Sequence, residues 1–271
     1  MSKALSRGLC AAFSVTLSIV GINHAHAFKF DNGPLEGNID TTLSFGISSR
    51  LDDPDKDIVC TANGGTAFGC NADDGTLNYK KGTISQVHKF TTDIEINHKD
   101  SDLGGFFRVS GFVDNKNNNN DDTERTQLSD KAIDLVGENV NLLDAYVWKG
   151  FEVGGRSAEI RFGKHVLNWG ESTFIQGGLN AINPIDVAAI RLPGAELREA
   201  LLPVNMLSAS MDVTDNLSME GFYQFDWDET SPDPSGSYFS VNDFATDGGS
   251  KVQLGFGDIP DTGFSFEGIS R

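Results

Sequence analysis

Between Trp169 and Pro203 the chain reads WGESTFIQGGLNAINPIDVAAIRLPGAELREALLP. Glu171, Arg191, Glu196, Arg198 and Glu199 stand there among many isoleucines and leucines, and Pro193 and Pro203 bracket a short helix. A connection this apolar is costly to leave in water. Folded into the lumen of a barrel it would narrow the opening, and its arginines and glutamates would pair into a selective constriction, with Trp169 anchoring the loop at the rim. Packed on the rim as a lid, the same residues would select nothing. The sequence leaves both arrangements open.

Other groups promise less chemistry. Asp114 to Asp122 reads DNKNNNNDD, an oxygen-rich run of the kind that hard cations favour. The EF-hand spacing fails: Lys116 holds the third position, the central glycine is missing, and Arg125 stands where a bidentate glutamate belongs. The run is expected to be a solvated loop, and Asp52, Asp53, Asp55 and Asp57 to gather divalent ions only loosely. His165 is followed by Ser172, but no G-x-S-x-G elbow surrounds the serine. Gly177-Gly178 lacks the Lys-Ser/Thr of a phosphate loop. No catalytic residue, cofactor or metal site is expected, and the chain is not read as an enzyme.

The residues that would position such a loop depend on where the chain goes. Lys3 and Arg7 precede an apolar stretch from Leu9 to Ile22, and Ala25-His26-Ala27 fits the small-residue cleavage rule. Residues 1–27 therefore read as a Sec-type signal peptide cut after Ala27. Cys10 leaves with it, so Cys60 and Cys70 remain, and in an oxidising compartment they are expected to form one disulfide. Two thiols without a histidine pair do not make a zinc site. The 271 residues carry a net charge of −18, which excludes a nucleic-acid binder's basic stripe. No run approaches the ~20 apolar residues of a membrane-spanning helix. A soluble secreted domain and a membrane β-barrel survive, the barrel agreeing with a mean hydropathy of −0.26 because half of each strand is polar.

Alternation then selects between them. In 37–50, Ile39, Leu43, Phe45 and Ile47 oppose Asn38, Asp40, Thr42, Ser44 and Ser48; the same period of two returns at 87–98, 206–213, 217–227 and 251–257. Weaker strands fit 105–113, 143–151, 158–168 and 263–270. Long and short connections alternate without exception along this series, which is the pattern of an up-and-down barrel with long outer loops and short periplasmic turns. Trp148, Phe151, Trp169 and Trp227 would form the aromatic girdles at the two rims. The fold expected is an all-β, antiparallel up-and-down transmembrane β-barrel over residues 28–271, with about nine strands. An odd count does not close a bacterial barrel. The chain is therefore expected to be the N-terminal part of a larger barrel, unless one weak strand is miscounted and eight close alone.

The stretch GKHVLNWGESTFIQGGLNAINPIDVAAIRLPGAELREALLPVNMLSAS resembles the signature of the domain-of-unknown-function 1302 family of Gram-negative bacteria, and so do LLDAYVWKGF at 142–151, 216–249, and the FKFDNGPLEGNIDTTLSFGISSR start. The resemblance implies an outer-membrane β-barrel about twice this length, in the outer membrane among lipid and lipopolysaccharide. It implies porin-like passage of small, hydrophobic molecules and links to export pumps or a periplasmic partner. It supplies no catalytic residue, and it bears least on the variable Cys60–Cys70 loop. A second reading is a structural or assembly surface protein with a filled lumen, which the bulky Phe106, Phe112, Tyr146 and Phe222 on polar strand faces favour.

Overall fold

The computed structural model describes residues 28–170, 182–249 and 251–257. The expected signal peptide, the cleavage expected after Ala27 and the strand expected at 263–270 lie outside the described residues. Eight strands form one antiparallel sheet in strict sequence order: β1 (Phe28–Asn32), β2 (Leu35–Arg50), β3 (Gly82–His98), β4 (Leu103–Asp114), β5 (Glu138–Val153), β6 (Arg156–His165), β7 (Val204–Thr214) and β8 (Leu217–Gln224). Each strand pairs with its neighbour in sequence, and among the described residues β1 and β8 do not pair with each other. Among them, too, no helix is long and apolar enough to cross a membrane.

Register fixes which side chains share a face. Ile39, Leu43, Phe45 and Ile47 of β2 stand opposite Ile94, Phe90, His88 and Gln86 of β3. Ile94, Phe90 and His88 in turn face Phe107, Gly111 and Val113 of β4. The row continues through Val147 of β5, Phe162 of β6, Leu207 of β7 and Tyr223 of β8. This face is apolar and open: Leu43, Phe45 and Ile47 are each more than half exposed. The opposite face carries Lys89, Thr91, Asp93, Arg108, Ser110, Asp144, Arg161 and Ser208, several of them buried. The polarity is inverted relative to a water-soluble sheet, which covers its apolar face and wets its polar one.

The connections alternate as the sequence predicts. Turns at 33–34, 99–102, 154–155 and 215–216 lie at one end, and long segments at 51–81, 115–137 and 166–203 lie at the other. Gly33, with φ of +63°, and Gly154-Gly155, with φ of +61° and +78°, take the left-handed backbone that such tight turns need. The long segments hold short helices: α1 (Asp74–Leu77), α2 (Asp130–Val136), α3 (Val187–Arg191) and α4 (Leu197–Ala200). Ser129 caps α2 by accepting from the Ala132 N–H, and Asp186 caps α3 through Ala189. Leu128, Ala132, Ile133, Val136 and Ala188 pack into a small core between α2 and α3. The connections are therefore folded against one another rather than solvated tails.

Three expectations change. The strand β1 is an addition: its five residues are short for a periodic signal, but Asn32-Gly33 marks the hairpin, and the Phe30 ring lies over Gly37 where a Cβ would collide with it. Residues 251–257 are not a strand. Gly255, Phe256 and Gly257 all have positive φ and close a turn, and Phe256 is fully exposed. Alternation of Val252, Leu254 and Phe256 mimics a strand there because a seven-residue window cannot exclude coincidence. The Asp114–Asp122 run is also not a solvated loop at its start. Asp114 is fully buried and accepts from Ser85 Oγ at 2.6 Å, the Gln86 N–H at 2.9 Å and Asn117 Nδ2 at 2.7 Å.

Candidate functional site

The apolar connection, for which the sequence leaves a place in a lumen and a place on the rim equally open, folds onto the polar face of the sheet. The piece bracketed by Pro193 and Pro203 is α4, held by a capping box in which Glu196 and Glu199 satisfy each other's backbone N–H groups. That turn points Glu199 at β3. Lys89 Nζ donates to Glu199 Oε2 at 2.5 Å and to the Gly194 carbonyl at 2.6 Å, while Thr91 Oγ1 donates to Glu199 Oε1 at 2.6 Å. The two charged side chains are only 5% and 8% exposed. Burial pushes the Glu199 carboxyl up, but the hydrogen bonds from Lys89 and Thr91 outweigh it and hold the group below its ordinary value.

Arg198, one residue earlier, opens a ladder of alternating charge across the same face. Its Nε donates to Glu196 at 2.6 Å and its Nη1 to Asp93 Oδ2 at 3.0 Å. Asp93 also receives Arg108 in a fork, at 2.7 and 2.9 Å, and Arg108 reaches on to Asp144 at 3.1 Å. Asp144 gets there through a bulge: Phe107 pairs with Ala145 and Val109 with Leu142, so β5 spends one residue more than β4 and buries both Leu143 and Asp144. Beside the ladder lies an aromatic row. Phe106 and Tyr146 rings are 5.5 Å apart, Tyr146 and Trp148 5.8 Å, and the guanidinium groups of Arg108 and Arg161 sit over Phe106 and Tyr146.

Of the residues expected to line a constriction, the structure brings Glu196, Arg198 and Glu199 together on this face. Arg191 goes elsewhere: it pairs with Asp233 at 2.7 Å and donates to the Phe239 carbonyl, fastening α3 to the segment after β8. Glu171, with the Ser172 once set beside His165, lies outside the described residues. Trp169 anchors the loop on the covered face, donating from Nε1 to Glu220 at 2.8 Å with its ring edge-on to Phe222. Its place in an outer girdle is therefore corrected, and so is that of Trp148, which lies over Gly104 on the covered face. Phe151 and Trp227 do stand exposed. His165 meets Ser208 Oγ and the Gly163 carbonyl, both at 3.0 Å, among buried groups. Cys60 and Cys70 form the expected disulfide.

The sequence reading missed Lys89, Arg108 and Asp144, the strand partners of the loop. Their positions on the polar phase of the alternation were visible, but nothing local says which loop covers them. The sheet and its loops define an up-and-down β protein that is apolar where it is exposed and polar where it is covered, with a long connection latched onto the polar face. The chain belongs to a family of proteins of unknown function, DUF1302, whose family model matches residues 7–267. No curated protein and no solved structure matches it.

Proposed function

We propose that the eight strands are consecutive staves of an outer-membrane barrel and that the α4 segment is a constriction loop inside it, through which small, apolar-leaning molecules pass. The observation that carries this reading is the docking of Arg198 and Glu199 onto Asp93 and Lys89, which sets a fixed ladder of charge against an aromatic row on the covered face. The exposed apolar face suits lipid, with the long connections outside the cell and the short turns in the periplasm. Export, by a signal peptide cut after Ala27, and contacts with lipopolysaccharide or a periplasmic pump partner belong to this reading. The test is single-channel recording of the full chain in planar bilayers. Arg198→Ala is expected to shift ion preference, and Arg191→Ala, away from the ladder, to leave it unchanged. Absence of any conductance, or an Arg198→Ala channel identical to wild type, would overturn the assignment.

One observation favours a second reading. A space of about 310 Å3 opens out among Lys80, Lys116 and Asp122 of the connections, but the two cavities against the polar strand face, one beside Arg191 and Tyr79 and one beside Lys89 and Glu199, are only about 40 Å3 each. A filled barrel serving as a surface or assembly protein needs nothing larger. Liposome swelling separates the two, because a filled barrel admits no sugar at any size.

A further inference from the structure

Asp73 and Asp74, from the β2–β3 connection, and Asp243, from the segment after β8, each bring a carboxylate oxygen within 4.8 Å of the other two, and all three residues are fully buried. Carboxylates so placed repel one another unless cations or donors are supplied. Asp74 is supplied: Arg125 Nε donates to Oδ1 at 2.5 Å, Thr126 Oγ1 to Oδ2 at 2.8 Å, and Lys251 Nζ lies 3.7 Å from Oδ2. Asp73 is only half supplied. Its Oδ2 accepts from the Cys60 N–H at 3.0 Å and from Asn63 Nδ2 at 2.9 Å, while its Oδ1 is buried with no donor among the described residues. Two residues earlier, Asn71 is 5% exposed and its side-chain oxygen and amide have no partner among the described residues, although its main-chain carbonyl accepts from the Asp243 N–H at 3.0 Å. A carboxylate oxygen and an amide oxygen, both buried and without a donor among the described residues, stand two residues apart on the turn tied to Asp243, and they are the ligand types a hard cation takes; Asp243, whose Oδ2 already accepts the Asp74 N–H at 3.4 Å, would share its carboxylate.

We propose that a divalent cation of the calcium type binds here, held by Asp73 and Asp243 with Asn71 adding a neutral oxygen. The Asp114 run, which the sequence offers for calcium, is already spent on Ser85, Gln86 and Asn117. The cation joins the β2–β3 connection to the segment after β8, and Asp73 ties it to the Cys60–Cys70 loop. Cation and disulfide thus brace one corner of the loop assembly. Neither depends on transport.

Calcium chloride is titrated by calorimetry into the full chain, folded in detergent and checked by heat-modifiable migration. One saturable site is expected, at least tenfold tighter for calcium than for magnesium, with Asp73→Asn and Asp243→Asn each weakening it at least tenfold and Asp55→Asn, an exposed acid of the same connection, leaving it unchanged. No saturable calcium binding overturns the proposal, as do buried-site variants that bind like wild type or an Asp55→Asn that weakens as much as they do. Should both buried-site variants fail to fold, proteolysis of wild-type chain decides: cleavage within 51–81 is expected to slow at least tenfold in calcium relative to EDTA, and equal rates overturn the site.

Discussion

Replacing Lys89 with methionine keeps the length of the side chain and removes its charge, leaving Glu199 ionised beneath the loop. Both groups are almost wholly covered, at 5% and 8% exposure, so solvent cannot substitute for the lost ammonium. Removing one partner of a buried pair costs about 3–5 kcal/mol. Thr91 and the Glu196 N–H still hold Glu199, which puts the expectation at the lower end. At ~1.4 kcal/mol per decade, release of the loop then becomes roughly a hundredfold more frequent or more. The readout is native-state hydrogen exchange at the amides of Glu199, Leu201 and Leu202, which bond to Glu196, Leu197 and Pro184 in the docked loop. These should exchange about a hundred times faster, whereas amides of the β5–β6 hairpin stay protected. Adding Glu199→Gln to Lys89→Met should recover much of the loss, since replacing both members of a buried pair is often near neutral. Exchange raised less than about threefold, or a double variant no better than the single ones combined, would refute the latch.

Two further perturbations act on the same contact from other sides. Gly46 of β2 lies under the loop, where a Cβ would come within 2.4 Å of Pro193 Cβ and 2.7 Å of its carbonyl carbon; Gly46→Ala should therefore lift the loop at a cost of about 1–3 kcal/mol and speed exchange at the same amides without changing those of β5–β6. The pH response should have a definite sign: the Glu199 carboxyl sits below its ordinary value of 4.5, so its contribution is complete above that pH and is lost as pH falls through the depressed value, and loop exchange should accelerate only in that acid range. Asp186 and Asp233 are pushed up from 3.8 by burial and so move the opposite way: what they contribute is complete below that pH and is lost as pH rises through their raised values, so acceleration on raising the pH out of the acid range would assign control of the loop to them instead.

What the sequence made legible was the face each residue occupies, and what it hid was the cover over that face. Period two in β2 and β3 separates Leu43 and Phe45 from Ser44 and Gly46 with no tertiary knowledge, and the order of long and short connections follows from the same windows. Parity also limits which aromatics can share a face. Trp148 and Phe151 are an odd number of residues apart in one strand, so both could not face outward, and the structure puts only Phe151 there. The bulge at Leu143–Asp144 shifts phase in the middle of β5, which is why that strand's pattern looked weak and why Asp144 could not be placed on the covered face in advance. The latch is a different kind of information. Lys89 and Glu199 are 110 residues apart, and each alone is an ordinary charge in an ordinary setting: a lysine on the polar side of a strand, a glutamate at the third position of a short helix. Local pattern fixes neither partner, because pairing is decided by how the described parts of the 166–203 connection pack, through Trp169 on Phe222, Pro193 on Gly46 and Arg191 on Asp233. An apolar loop carrying a few charges shows that it must be buried; only the fold shows which charges it is buried against.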